Sequence, residues 1–240
     1  MRLNLMKTKR LLLILIIAML FSVVWFSQNS NYIGNSSFQN ILYMNNSAFG
    51  YNSIMAYTLF YIVPFLILLT NFFLTDHPYS IVRAVTRKSY YMKTFYKILL
   101  VSIIFSLIHG LINIIYTYIF FNSGLLNEVN FLSISALNVI CLVLFYTSIG
   151  ILFRAIYDSS KALGASIFLV YIIVGGSFFV VKLFFPHSLW VPYNDLMVFT
   201  NLLEKNWSSF DLIVVYVRQV IVIFILYLIG SSVFLKRDYV

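Results

Sequence analysis

Six long apolar runs cross this chain of 240 residues and limit the folds open to it. The runs lie at about 10–28, 53–74, 98–121, 131–153, 162–181 and 212–235. A helix needs about 20 apolar residues to cross about 30 Å of hydrocarbon. Only 10% of the residues are charged and 62% are hydrophobic, which leaves too few charges for a water-facing surface. The sequence predicts an all-α, polytopic membrane protein with six transmembrane helices and a single domain over residues 1–240.

The basic residues are distributed unevenly over the segments that connect these runs. If the N-terminus is inside, the inner segments hold thirteen of the sixteen: Arg2, Lys7, Lys9, Arg10, Arg83, Arg87, Lys88, Lys93, Lys97, Arg154, Lys161, Lys236 and Arg237. The outer segments hold only Lys182 and Lys205. Because Lys and Arg accumulate in cytoplasmic loops, this bias predicts that both termini lie in the cytoplasm. The net charge of +9 is then a consequence of topology and does not indicate nucleic-acid binding.

The inner connection between the second and third runs has the pattern of a short amphipathic helix over residues 78–90. Asp76 is a suitable N-cap and Pro78 fits the first turn. Arg83 and Arg87 then fall on one face, whereas Ile81, Val82 and Val85 fall on another. Two interpretations follow: a positive-inside loop that lies on anionic lipid, or a docking helix for a soluble cytoplasmic partner. The N-cap and the proline in the first turn favour docking, since a loop that binds lipid only by its charge does not need a defined helix start.

Several kinds of chemistry have no sequence support in this chain. The dipeptide Gly-Lys does not occur, so there is no P-loop to hold ATP phosphates. None of the six runs contains Asp or Glu, the carboxylates with which ion-coupled carriers bind their ion at membrane depth. The single cysteine, Cys141, lies inside an apolar run and is expected to serve packing.

A few polar residues inside the runs are candidates for a substrate path or gate. His109 and Asn113 are four residues apart and share a face of the third run, and Asn138 lies in the fourth. They fit either a substrate or proton path, or ordinary interhelical hydrogen bonds. Arg218 lies near the outer end of the sixth run, where an arginine must be neutralised. Asp211 or outer headgroups would do this, and a gate at the outer mouth is the functional alternative.

Two outer segments differ in composition from the rest of the chain. Residues 29–52 contain seven asparagines and many serines, which predicts a mobile or loosely packed outer loop. Residues 182–211 combine aromatic residues with prolines, which predicts short interfacial helices at the outer headgroup level.

Taken together, these features resemble the ABC transporter permeases of the type-2 export class. The shared features are six spans with both ends inside, the basic amphipathic helix, the aromatic segment before the last span, and the ending Phe234-Leu235-Lys236-Arg237-Asp238. The length is similar to that of small bacteriocin export and immunity permeases of low-GC Gram-positive bacteria. Only ten residues precede the first apolar run, whereas the family usually has a longer inner interfacial helix there.

The resemblance implies a permease subunit of an ATP-driven exporter in the bacterial cell membrane, without enzymatic activity of its own. The residues that would dock on a separate ATP-binding subunit are Pro78, Ile81, Val82, Arg83, Val85, Arg87 and Lys88. ATP and Mg²⁺ would be bound by that partner, so no cofactor is expected in this chain. A second permease copy or a paralogue would complete the path for a hydrophobic or amphipathic substrate, such as an antimicrobial peptide or a lipid. The alternative is a stand-alone membrane immunity protein, or a non-ATP membrane enzyme, that binds peptide or lipid at residues 182–211.

Overall fold

A computed structural model describes residues 2–35, 37–46, 50–73, 86–184 and 193–236, and within these ranges the chain is helical without strands. The α-helices are α1 (Arg2–Asn29), α2 (Phe38–Asn46), α3 (Ile62–Phe73), α4 (Arg87–Phe120), α5 (Ser123–Glu128), α6 (Phe131–Ser160), α7 (Leu163–Phe184), α8 (Val198–Leu203) and α9 (Ser209–Lys236). Short 3₁₀ turns cover Ser30–Tyr32 and Asn194–Met197. The all-α class predicted from the sequence is confirmed.

Five helices are long and apolar enough to cross a membrane, which supports a multi-pass membrane protein. They are α4, α6, α7 and α9 together with the apolar part of α1 and its 3₁₀ turn, Thr8–Tyr32. The second apolar run gives a shorter helix, Ala56–Phe72, which begins with a π-helical segment over Ala56–Phe60. Pro64 explains the irregularity, because it has no N–H to donate to the carbonyl of Phe60 four residues earlier.

The helices α4 and α6 form the centre of the bundle. In their apolar windows 44% and 67% of the residues are buried, against 17%, 22% and 11% for α1, α7 and α9. Glycines permit the close approach: a Cβ on Gly110 would collide with Val139, and a Cβ on Gly150 with Ile98. The outer helices leave large apolar side chains exposed, as the lipid-facing surface of a membrane protein does.

One end of the bundle collects the helix ends that carry basic residues, and we call it the basic end. The guanidinium of Arg10 near the start of α1 lies 4.9 Å from the ring centroid of Phe72 near the end of α3. Nη1 of Arg87 at the start of α4 donates to the carbonyl oxygen of Leu235 near the end of α9 over 3.1 Å. The end of α6 and the start of α7 also meet there.

The opposite end, which we call the loop end, carries the connections around α2, α5 and α8. The ring centroids of Trp25 and Phe120, near the ends of α1 and α4, are 5.8 Å apart. Phe131 at the start of α6 packs against Phe199 of α8 with ring centroids 5.6 Å apart. If the shorter helix Ala56–Phe72 is counted between α1 and α4, successive apolar helices run in alternating directions through the bundle.

The expectation of a loosely packed loop over residues 29–52 is wrong. This segment contains α2, and Ile41, Met44 and Tyr51 in it are each at most 2% exposed. Helix α2 also packs against α8. The asparagines that made the segment look like a polar loop are partly used inside the fold, where Asn45 and Asn52 are buried and hydrogen-bonded.

The structure divides the predicted coupling segment into two parts. Pro78, Ile81, Val82, Arg83 and Val85 lie outside the described residues. Arg87 and Lys88 instead form the first turn of α4, which begins eleven residues before the predicted span. Thr86 is the N-cap of α4: its backbone is extended, and its side chain accepts a hydrogen bond from Ser89 N over 3.1 Å. The chain is extended at Thr86, so the expectation that Arg87 shares one amphipathic helix with Arg83 is wrong, and Arg87 and Lys88 belong to α4.

Candidate functional site: a buried polar centre and a lateral cleft

His109 is enclosed by aromatic rings in the interior of the bundle. Its side chain is 2% exposed, and its ring is stacked on that of Tyr51 with centroids 4.3 Å apart and an interplanar angle of 9°. The hydroxyl of Tyr51 donates to the backbone oxygen of His109 over 3.1 Å. Phe21 and Tyr61 pack against the imidazole from α1 and from the bend before α3, at 5.1 and 5.2 Å. The ring is thus held between three parts of the chain.

The two asparagines predicted as path residues also make bonds between elements. Nε1 of Trp25 on α1 donates to Oδ1 of Asn113 on α4 over 3.1 Å. Nδ2 of Asn138 on α6 donates to the hydroxyl of Tyr57 over 2.9 Å, and that hydroxyl donates to Oδ1 of Asn52 over 2.8 Å. The first bond joins α1 to α4 and the second joins α6 to the π-helical segment, as the interhelical interpretation expects.

These side chains, together with a stripe on α4, form one buried polar centre. Ser106, His109, Asn113 and Thr117 follow each other at spacings of three and four residues, so they share a face of α4. Several of its atoms have no hydrogen-bond partner among the described residues: Oγ of Ser106, Nδ1 of His109, Oγ1 of Thr117, and, on α6, Oγ of Ser135 and Oδ1 of Asn138. A buried polar atom without a hydrogen bond costs folding free energy, and a bound water or a polar group of a ligand can supply the missing partner.

Arg218 is neutralised by Asp195, which was not one of its predicted partners. Its Nε donates to Oδ2 of Asp195 over 2.9 Å, and its Nη2 bonds the other carboxylate oxygen. Nε2 of Gln219 donates to the same carboxylate over 3.0 Å. The Asp195 side chain is fully buried, whereas that of Arg218 is 19% exposed. Burial raises the pKa of the Asp195 carboxyl, against the lowering effect of the hydrogen bonds from Arg218 and Gln219.

The expected pairing of Arg218 with Asp211 is wrong. Oδ2 of Asp211 accepts hydrogen bonds from the backbone N and the hydroxyl of Ser208, at 2.8 and 2.7 Å. Asp211 thus helps to cap the N-terminus of α9. A carboxylate at this position also interacts favourably with the helix dipole. The signal that pointed to Asp195 was present in the sequence: an arginine at this depth needs an acid, and Asp195 is the other aspartate of the same outer segment.

A cleft opens sideways between α7 and α9, with α6 as its floor. Its volume is about 170 Å³. The lining residues are Phe145, Ser148, Ile149 and Leu152 of α6, Val174 of α7, Tyr193, and Gln219, Val222 and Leu226 of α9. The polar groups of the lining are already bonded: Ser148 Oγ to Leu144 O, Tyr193 Oη to Val174 O, and Gln219 to Asp195. The remaining surface is hydrocarbon, so the cleft suits an apolar occupant.

A second ion pair lies at the basic end. Nε of Arg154 donates to Oδ2 of Asp158 over 2.9 Å, and the two side chains are 4% and 0% exposed. The Arg154 guanidinium lies 5.5 Å from the ring centroid of Phe234 on α9, and Phe234 is stacked on Tyr90 of α4 at 5.8 Å. The apolar pattern predicted Arg154 in an inner loop. Because α6 continues to Ser160, the pair lies inside the bundle and joins α4, α6 and α9.

Comparison with family models, curated proteins and solved structures finds no match for this chain. Among the described residues, no group of three or more His, Cys, Asp or Glu side chains could hold a metal ion.

Proposed function

We propose that this chain is the membrane-spanning permease subunit of an ATP-driven exporter that is powered by a separate ATP-binding subunit. One observation carries the proposal. Arg87, a predicted docking residue that forms the start of α4, bonds the end of α9, and α9 borders the lateral cleft. A displacement of the docking residues would therefore move α9, which forms one side of an apolar cleft that opens toward the bilayer.

The proposal includes six crossings, with both termini in the cytoplasm. The short helix Ala56–Phe72 is the second crossing. The contact of Arg10 with Phe72 supports this assignment, because it shows that α3 ends at the same end of the bundle where α1 starts. The basic end then faces the cytoplasm, in agreement with the positive-inside rule. In a bacterial cell membrane the loop end faces outward.

The transport step follows from how the helices are held. ATP binding in the partner moves the segment before Thr86, the first turn of α4 carries this to α9, and α9 moves relative to α7. Arg218 and Asp195 fasten the outer segment to α9 and act as the gate at the loop end. His109, Asn113 and Asn138 hold α1, α4 and α6 together beside the path. A hydrophobic or amphipathic cargo, such as an antimicrobial peptide or a lipid, matches the cleft between α7 and α9.

In this proposal the chain catalyses no reaction. ATP and Mg²⁺ belong to the ATP-binding cassette subunit, and a second permease copy or a paralogue completes the transport unit. The wide apolar faces of α1, α7 and α9 are available to the bilayer and to that second permease.

Co-purification tests the partnership. The tagged chain is extracted in mild detergent, and bound proteins are identified by mass spectrometry. We expect an ATP-binding cassette protein with the native chain, and its loss from the double variant Ile81→Asp/Val85→Asp, because a few apolar anchors dominate such contacts. Lys93→Gln, an exposed position on α4 beyond the first turn, is the matched control and should retain the partner. Absence of any such protein from the native complex would favour a stand-alone immunity or binding protein.

Cysteine labelling tests the orientation independently. Cysteines are placed at Gln39 on α2 and Ser89 on α4, both exposed, while the native Cys141 is buried. A membrane-impermeant thiol reagent added to intact cells should label position 39 and leave position 89 unlabelled until the cells are opened. The reverse pattern would refute the proposed orientation.

A further inference from the structure

The lateral cleft is continuous with the surface that faces lipid. Beside its lining, α7 exposes Ile173 by 46%, and α9 exposes Ile221 by 52% and Ile225 by 50%. The cleft therefore opens onto two apolar helix faces and not onto a polar surface. In a bilayer its mouth is in contact with hydrocarbon chains.

Elementary physical chemistry limits what can fill this space. Water is disfavoured, since Ser148, Tyr193 and Gln219 already have hydrogen-bond partners within the protein. An empty cleft would forfeit the dispersion contacts of its walls. Along α9 the lining extends from Gln219 to Leu226, seven residues or about 10 Å, so the cleft is elongated along the helix axis. That form suits an extended hydrocarbon chain.

The two ends of the cleft differ in polarity. Tyr193 and Gln219 lie toward the loop end, and Asp195 links Gln219 to the partly exposed Arg218. Lys182, near the loop end of α7, is also exposed. Leu152 and Leu226 form the opposite part of the lining. A lipid with its chain in the cleft would therefore have its phosphate at the end where the two cations are.

We propose that the cleft binds one acyl chain of a membrane phospholipid, with the headgroup toward Arg218 and Lys182. This site does not depend on ATP-driven export. It requires only that α7 and α9 face a bilayer. The acyl chain completes the packing between these helices, and any hydrophobic cargo that enters between them displaces it.

Native mass spectrometry of the purified chain tests the proposal directly. The chain is reconstituted with phosphatidylglycerol, re-extracted and washed in detergent, and the lipid bound to each chain is counted. We expect one retained phospholipid on the native chain. Val222→Trp places a large side chain in the cleft and should abolish retention, whereas Ile221→Trp, one residue away on the lipid-facing surface, should leave it unchanged. Equal retention by all three proteins would overturn the proposal.

Photo-crosslinking of the unaltered chain covers the case in which Val222→Trp fails to fold. A phosphatidylglycerol with a diazirine at the chain end is activated in reconstituted membranes, and the adducts are mapped by mass spectrometry. Adducts concentrated at 145–152 of α6 and 219–226 of α9 are expected. Adducts spread evenly over the exposed faces of α1, α7 and α9 would show bulk lipid alone and would overturn the proposal. Neither assay includes an ATPase, so its outcome is separate from that of the export proposal.

Discussion

Asp195 holds together the loop end of the molecule at the scale of single residues. Its carboxylate is fully buried and receives hydrogen bonds from Arg218 and Gln219, while the thiol of Cys141 donates to its backbone oxygen over 3.3 Å. Three elements thus meet at one residue: the 3₁₀ turn that contains it, α6 and α9. A buried ion pair loses much stability when one partner is removed, so this pair can hold the outer segment against α9. That agrees with the proposed role of a gate.

Removal of Arg218 alone should destabilise the protein. We expect Arg218→Leu to lower the free energy of unfolding by about 3 kcal/mol, because it leaves a buried carboxylate without its cation. The double variant Asp195→Leu/Arg218→Leu should recover most of the loss, since no charge remains buried. Lys182→Leu, an exposed cation on α7, is the control and should have little effect. Denaturant titration in detergent measures all three, and a fully stable Arg218→Leu would contradict a stabilising role for the ion pair of Arg218 with Asp195.

At the scale of elements, the long helices were predictable and the irregular ones were not. Uninterrupted apolar runs define α4, α6, α7 and α9, because a bilayer requires such runs whatever the tertiary contacts. The packing of residues 29–52 depends on distant partners, such as the stacking of Tyr51 on His109, and composition does not encode such contacts. The same reason limits prediction of the site. His109 and Arg218 were identifiable as unusual residues, but the pairing of Arg218 with Asp195 and the cleft form only when α6, α7 and α9 pack together.

The contact between α4 and α6 depends on glycine, and this can be tested with a matched pair. In a helix, Gly→Ala normally stabilises by about 0.5–1 kcal/mol. At Gly110 the new methyl group would collide with Val139, so we expect Gly110→Ala to destabilise by about 1–3 kcal/mol. At Gly176 nothing lies near the new atom, so Gly176→Ala should be neutral or stabilising. Thermal unfolding in detergent measures both. A Gly110→Ala protein at least as stable as the native one would contradict the close packing of α4 on α6.

At the scale of the whole molecule, α9 connects the two ends of the bundle. Its buried residues are Val215 and Gln219 toward the loop end, and Gly230 and Phe234 toward the basic end. The stretch between these pairs has no fully buried side chain, and it borders the cleft with Val222 and Leu226. A helix fastened near both ends and loosely packed between them is suited to transmit displacement from the basic end to the cleft. Phe234, next to the Leu235 carbonyl that Arg87 bonds, is the buried aromatic side chain that fastens α9 at the basic end.

If the proposed function holds, replacement of Phe234 should uncouple transport from ATP hydrolysis without detaching the proposed ATP-binding subunit. Phe234 is fully buried and packs against Tyr90, Tyr91 and the Arg154 guanidinium, so Phe234→Ala loosens α9 from α4 and α6. None of the proposed docking residues, from Pro78 to Lys88, is altered by this substitution. We expect the ATP-binding subunit to co-purify normally, while substrate-stimulated ATP hydrolysis in reconstituted membranes is lost. Phe224→Ala, on the lipid-facing surface of the same helix at 60% exposure, is the control and should keep the stimulation. If the Phe234→Ala complex assembles and its ATP hydrolysis is stimulated normally, the packing of Phe234 at the basic end is dispensable. In that case α9 does not transmit the displacement to the cleft.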